Sequence, residues 1–385
     1  MIHSYQKPLN GKRVGVVFGS FAPLHQGHLD LIMRAKREND GGAIVIVCGY
    51  DGDKGGEDMP LKRRYRYVRE FFADDDLVAV YSINDTELGL EKYPNGWVGW
   101  MEEFERIWEK ATEVSHHYED DRPPLYRSPD RRPNRVWYVG DENYYNDLIK
   151  MWHEEAVLVD RKANNPICAT MIRENPIKHW DKITYPFRRI FSHNILICGT
   201  ASEGKSTLVT DLGKYFNAPY SYEWAREYMR ESCVSDWELD GADYIAFLEG
   251  QYNLNKSLIN SPANNGIFFA DSDSMVTKMY AKYYSQDPSC DLTPEEYEKI
   301  EVTADELTRK CRWDKIFVLV PHGIFVDDHE RYMAHSGMKE RQELYELLEA
   351  DLIRSDNWDK VTILDGDYYE NFLKIVEYTK GIIER

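Results

Sequence analysis

Ile195-Leu196-Ile197-Cys198-Gly199-Thr200-Ala201-Ser202-Glu203-Gly204-Lys205-Ser206-Thr207 is the stretch from which this chain is best read. An apolar run of strand length ends in a complete G-x-x-x-x-G-K-[ST] loop, and Lys205–Phe216 continues with apolar residues at helical spacing. A strand turning tightly into a helix offers an anion converging backbone N–H groups and the positive end of the helix dipole. The backbone from Gly199 through Thr200, Ala201, Ser202 and Glu203 to Gly204 is therefore expected to cradle a polyphosphate. Lys205 would reach its outer oxygens, with Ser206 and Thr207 opening the helix beside them.

Phosphoryl transfer from such a loop also needs carboxylates. Ile267-Phe268-Phe269-Ala270-Asp271 reads as a short apolar strand ending in Asp, placed to help hold Mg²⁺ together with Ser206. Asp273, two residues on, has two readings that can coexist: a Mg²⁺ ligand or general base, and the N-cap of a helix starting at Ser274. Glu223, within Tyr222-Glu223-Trp224-Ala225-Arg226-Glu227, follows a segment read as the second strand of this half. Glu223 or Asp273 would take the acceptor hydroxyl's proton, and that choice stays open.

Val14-Gly15-Val16-Val17-Phe18-Gly19-Ser20-Phe21-Ala22-Pro23-Leu24-His25-Gln26-Gly27-His28 sets a second strand-turn-helix near the other end of the chain. The turn Gly19, Ser20, Phe21 and Ala22 lets backbone approach phosphate closely. His25 and His28 lie three apart at a helix start and so face one side. Their imidazoles are suited to holding a triphosphate and stabilising charge on departing pyrophosphate. Gly140-Asp141-Glu142, after the strand ending at Val139, is a further nucleotide contact on this reading. Trp97 and Trp100 either stack on a planar ring of the ligand or fill the core.

The 385 residues favour two domains of ordinary size. Short β-rich runs alternate with amphipathic stretches, the pattern of parallel α/β sheets. Strands are expected near 13–18, 43–48, 77–83, 135–139 and 156–159, then near 194–198, 267–270, 315–320 and 361–364. Helices are expected from about 27, 61, 99 and 143, and over 205–216, 242–259, 274–284, 294–310, 339–353 and 370–383. The domains are drawn at 1–189 and 190–385, and Glu119–Arg135 is read as a proline-rich loop.

The net charge of −19 argues against a general nucleic-acid or anionic-membrane surface. The basic clusters at Lys62–Arg66 and Arg131–Arg135 read as solvated surface or as a rim that attracts polyphosphate. Six scattered cysteines suggest neither zinc nor a disulfide framework, with Cys48 and Cys198 as small buried hydrophobes. Without a long apolar run or an apolar leader, a cytoplasmic location is expected. Oligomeric state is left open, a homo-oligomer included.

Family resemblance sharpens these readings. The H-x-G-H turn resembles that of nucleotidyltransferases, and Ile167-Cys168-Ala169-Thr170-Met171-Ile172-Arg173 resembles the I-S-x-T-x-x-R element that closes such sites, with Cys168 in place of serine. Asp271-Ser272-Asp273-Ser274 resembles the D-T-D element of ribosylnicotinamide kinases. Together with Leu158-Val159-Asp160-Arg161, Glu174-Asn175-Pro176 and Trp180, these make nearly the whole chain resemble the NadR-type bifunctional proteins. The resemblance implies a Rossmann-like nicotinamide-mononucleotide adenylyltransferase followed by a P-loop ribosylnicotinamide kinase. With the first strand at about residue 13, the helix-turn-helix repressor domain of some members is not expected.

ATP would serve both reactions with Mg²⁺, and the other ligands would be nicotinamide riboside, its mononucleotide and NAD. Thr170 and Arg173 would close the first site, Trp97 or Trp100 would stack on the nicotinamide ring, and Arg331 would belong to a lid after Val320-Pro321. Rival readings are an equivalent enzyme for another cofactor precursor and a nucleotide sensor with little turnover.

Overall fold

The computed structural model describes residues 9, 11–112, 133–160, 166–322 and 337–384. They form two compact units, Met1–Ile190 and Phe191–Arg385. Arg331, Asp327, Asp328 and most of the proline-rich loop lie outside the described residues.

In the first unit, β1 (Arg13–Gly19), β2 (Ala43–Val47), β3 (Val78–Ser82), β4 (Asn134–Val139) and β5 (Ala156–Leu158) form one parallel sheet in the order β3-β2-β1-β4-β5. Ala43-Ile44-Val45-Ile46-Val47 is buried along its whole length, as a central parallel strand covered on both faces must be. Helices α1 (Gln26–Glu38), α2 (Leu61–Phe71), α3 (Trp97–Ala111) and α4 (Glu142–Lys150) cover the sheet, followed by the short α5 (Ala169–Glu174) and α6 (Tyr185–Phe191). The core against α3 is aromatic: Phe104 and Trp137 ring centroids lie 4.5 Å apart, and Trp97 stacks on Trp100 at 5.5 Å.

In the second unit, β6 (His193–Gly199), β7 (Ile267–Asp271), β8 (Lys315–Leu319) and β9 (Val361–Leu364) give a parallel sheet in the order β7-β6-β8-β9. Its helices are α7 (Lys205–Phe216), α8 (Trp224–Ser232), α9 (Gly241–Ile259), α10 (Ser274–Tyr284), α11 (Pro294–Lys310), α12 (Met338–Arg354) and α13 (Tyr368–Ile383). Several starts are chemically fixed. Thr293 and Glu296 form a reciprocal capping box with Pro294 at the first helical position of α11, and Asp367 with Glu370 does the same for α13. Both units are α/β with all-parallel sheets.

Two local expectations change. The strand expected before Glu223 is reduced to a single bridge, Tyr220 to Phe269, because Pro219 offers its carbonyl but no N–H. The domain boundary drawn at 189/190 falls inside a helix rather than a linker, with Pro186 in the first turn of α6 and Phe187 and Ile190 buried. Among the described residues, no helix is long and apolar enough to cross a membrane.

Candidate active sites

Each parallel sheet delivers a phosphate turn at the carboxyl end of a central strand, where open α/β sheets bind ligands. In the first unit, β1 ends at Gly19 and the chain turns through Phe21, in the left-handed region at φ 45°, before His25 caps α1. His25 is buried and His28 half-buried, and their ring centroids lie 3.8 Å apart, with the Phe21 ring centroid 5.0 Å from that of His28 in a T-shaped arrangement. The three-residue spacing has thus brought both imidazoles onto one side. Behind them, His25 bridges Ile183, and Gln26 Nε2 donates to the Asp181 carbonyl at 3.0 Å.

Arg173 is half-buried on α5 and reaches the same turn. Its Nη1 donates to the Ala22 carbonyl at 2.5 Å and its Nη2 to Thr170 Oγ1 at 3.2 Å. Cys168 stands at the N-cap of α5 without a side-chain hydrogen bond, so the serine-to-cysteine change leaves that cap unfilled.

In front of the turn lies a cavity of about 410 Å³, lined by Gly19, Ser20, His28, Asp85, Trp97, Trp100, Asp141 and others. Trp97 and Trp100 belong to the core, as the second of their two readings has it, and also line the cavity. Asp141 caps α4 by accepting from Asn143 N at 2.9 Å. Gly140 precedes it and Glu142 opens the helix.

Two buried charged residues that line the cavity were not singled out by the sequence reading. Asp85 follows β3 in a loop without a motif, yet it is 8 % exposed and its Oδ1 has no hydrogen-bond partner. Burial pushes its carboxyl up to about 6, against the pull of the Gly49 N–H and the Arg64 guanidinium. The second is Arg64. In the cluster Lys62-Arg63-Arg64-Tyr65-Arg66 three cations are exposed, but Arg64 is 1 % exposed. Its Nε donates to the Met59 carbonyl at 2.9 Å, and its Nη1 to the carbonyls of Cys48 at 2.9 Å and of Ser20. Neither a solvated face nor a rim describes it: Arg64 ties the phosphate turn to the end of β2.

Removing that guanidinium strands three carbonyls in a dry site. Arg64→Met is expected to lower the unfolding free energy of the first unit by about 2–4 kcal/mol, measured by urea unfolding followed through tryptophan fluorescence. A loss below about 0.5 kcal/mol would mean that the turn holds its shape without it.

In the second unit, the P-loop runs from Gly199, at φ 146°, to Gly204, at φ 76°, conformations that favour glycine at both ends. Lys205 is buried and donates from Nζ to the Thr200 carbonyl at 2.5 Å. Ser202 lies in the left-handed region between them. Glu203 is fixed from outside the loop: Arg341 Nη1 on α12 donates to its Oε1 at 2.9 Å, and the His322 N–H, just after β8, donates to its Oε2 at 3.1 Å. Thr207 and Ser206 occupy the first turn of α7.

Ser206 Oγ donates to Asp271 Oδ2, while Asp271 Oδ1 is buried without a hydrogen-bond partner. Burial raises the Asp271 carboxyl above its ordinary value despite the nearby Lys205. A hydroxyl and an under-coordinated carboxylate beside a phosphate loop are oxygen donors of the kind Mg²⁺ takes, so these two residues fit the ion.

Asp273 faces elsewhere. Its Oδ1 accepts from Met275 N at 3.0 Å and from Val276 N at 3.4 Å, and its Oδ2 from Trp313 Nε1 at 3.0 Å. Burial pushes its carboxyl up to about 6. These bonds commit it to capping α10, which disfavours its reading as metal ligand or base. Glu223, paired with Arg226 at 2.8 Å, is near enough to Asp271 to push that carboxyl up. Glu223 and Ser272, the neighbour of Asp271, both line a small pocket walled by aromatic rings.

The geometry agrees with what the chain is similar to. A cytidylyltransferase-like family model matches residues 16–178 and an AAA domain model residues 194–370. The trifunctional NAD biosynthesis/regulator protein NadR of Salmonella typhimurium (strain LT2) is 28% identical over 98% of this chain and 85% of its own length. A solved NadR protein in complex with NR is 34% identical, covers 98% of this chain and 97% of its own, and superposes with a TM-score of 0.80. A NadR protein in complex with NAD and AMP-PNP, also 34% identical and covering 98% of both chains, gives 0.78. On this likeness over nearly its full length, the chain belongs to the NadR family.

Proposed function

We propose that the chain catalyses two consecutive steps of NAD salvage. The second unit phosphorylates nicotinamide riboside with ATP, and the first joins the resulting mononucleotide to the AMP part of a second ATP, forming NAD and pyrophosphate. The observation that carries this reading is the pairing, on one chain, of a two-histidine phosphate turn under a tryptophan-walled cavity with a P-loop whose serine bonds Asp271. The ligands of the solved relatives, NR in one and NAD with AMP-PNP in the other, support it. A cytoplasmic location belongs to the same proposal.

In the kinase unit, Glu223 takes the proton of the riboside 5′-hydroxyl as that oxygen attacks the γ-phosphorus of ATP. Lys205 and the loop amides stabilise charge on the β- and γ-oxygens. Ser206 and Asp271 would hold Mg²⁺, which when bound would supply charge neutralisation to the phosphate oxygens. In the first unit, the mononucleotide phosphate attacks the α-phosphorus in line and pyrophosphate leaves, with no covalent enzyme intermediate. His25, His28 and Arg173 gather the leaving charge, Thr170 positions Arg173, and Gly19–Ala22 and Gly140–Glu142 border the nucleotide. Trp97 and Trp100 wall the side of the cavity that takes the nicotinamide ring.

The test is a coupled assay analysed by chromatography. Riboside, ATP and Mg²⁺ are expected to give the mononucleotide and then NAD, with one ADP and one pyrophosphate per NAD. Tight nucleotide binding without product would instead favour a sensor.

A further inference from the structure

In the phosphate turn of the first unit, the carbonyls of Ser20, Ala22 and Leu24 are each held by a donor from a different segment. Arg64 on α2 takes Ser20, and Arg173 on α5 takes Ala22. The third holder comes later, in the stretch 181–184 that leads into α6. Thr184 donates to the Leu24 carbonyl from Oγ1 at 3.0 Å and from its N–H at 3.3 Å. Beside it, His25 and Ile183 form an antiparallel bridge, and Gln26 Nε2 reaches the Asp181 carbonyl at 3.0 Å. Leu24, His25 and Gln26 are thus all tied to one short strap. It lies beyond residues 16–178, the part of the chain that the cytidylyltransferase-like family model matches.

The strap is itself anchored. Arg188 Nε donates to the Ile183 carbonyl at 3.1 Å, Arg189 pairs with Glu70 at 2.5 Å, and the Phe187 ring lies edge-on to Tyr67 at 5.4 Å. Glu70 and Tyr67 belong to α2, the helix that carries Arg64. Leu24 is fully buried and Thr184 is 5 % exposed, so solvent does not readily replace the Thr184 hydroxyl on that carbonyl.

We propose that Thr184 is a positioning residue for adenylyl transfer, setting through the Leu24 carbonyl the orientation of His25 and of the His28 ring beside it. This rests on the adenylyl-transfer reading given above. Thr184 does not line the cavity, so its effect passes through the turn rather than through contact with the reacting groups. A turn loosened at Leu24 spends less time with both imidazoles aligned on the leaving group, which slows the chemical step more than it weakens binding.

The test uses the full-length enzyme, with NAD formed from mononucleotide and ATP set beside mononucleotide formed from riboside and ATP. Thr184→Val keeps the shape of the side chain and removes its hydroxyl. It is expected to lower kcat for adenylyl transfer about 5- to 20-fold, with KM for the mononucleotide within about twofold of wild type. Thr184→Ser restores the hydroxyl and should bring kcat back to within about threefold of wild type. Riboside phosphorylation is expected to be unchanged in both.

A purely structural role would lower the thermal unfolding transition and leave kcat unchanged well below it; that result in the Val variant overturns the assignment. A Ser variant as slow as the Val variant also overturns it, since the effect would then lie in packing of the methyl group. Should the Val protein fail to fold, Gln26→Met cuts the other side-chain tie to the strap at a half-buried position. Its kcat is expected to fall about 2- to 5-fold, and an unchanged value overturns the assignment in the same way. A wild type that makes no NAD from the mononucleotide overturns the adenylyl-transfer reading itself, and this assignment with it.

Discussion

Lys205→Ala is expected to abolish riboside phosphorylation, lowering kcat by about 10³-fold or more, while NAD formation from supplied mononucleotide continues at the wild-type rate. Lys205 is buried with its ammonium held 2.5 Å from the Thr200 carbonyl, at the mouth of the loop. Alanine leaves the loop backbone but takes away the cation that meets charge building on the transferred group. Folding of the second unit is checked by an unchanged circular dichroism spectrum and an unchanged thermal unfolding transition. The measurement is mononucleotide formed from riboside and ATP, set beside NAD formed from mononucleotide and ATP. Joint loss of both in a folded protein would mean a shared centre, and the assignment of separate sites would be wrong.

His28→Ala should give the mirror image. Adenylyl transfer is expected to fall about 10²–10³-fold, the loss typical of removing one donor from a charge-stabilising site, with riboside phosphorylation unaffected. His28 lies against His25, 3.8 Å between ring centroids, and lines the cavity into which the turn opens. If, as proposed, it acts on departing pyrophosphate rather than on the acceptor, the loss should appear in kcat more than in KM for the mononucleotide. Retention of more than about a tenth of the activity would remove His28 from the transition state.

The sheets were legible because buried parallel strands advertise themselves as unbroken apolar runs, as in Ala43–Val47 and Ile267–Asp271. Both phosphate turns were legible because their chemistry demands glycine, histidine or lysine at fixed spacing. Helix α8 left a fainter trace: none of its residues is fully buried, and only the short stripe Ala225, Tyr228 and Met229 packs partly buried against the core.

Asp273 shows the limit of motif reasoning. The pattern D-x-D placed two carboxylates near one another in sequence, but Ser272 between them lies at φ 83° and the second carboxylate accepts from Trp313 and the helix amides. Arg64 and Asp85 were hidden for a shared reason. Their roles arise from burial, which residues remote in sequence create, and a lone charged residue in a polar segment gives no sign that it will be enclosed.

The clamp on Glu203 has a consequence for nucleotide capture. A phosphate loop rich in glycine and small residues has much conformational freedom to lose on gripping its ligand. Here Arg341 and the His322 amide grip the loop's own glutamate from two distant points of the chain. Much of the ordering is therefore completed when the unit folds rather than when ATP arrives. Binding energy from the triphosphate is left to align the reacting atoms instead of shaping the cradle, and the loop's affinity is set in part by a helix that begins more than a hundred residues downstream.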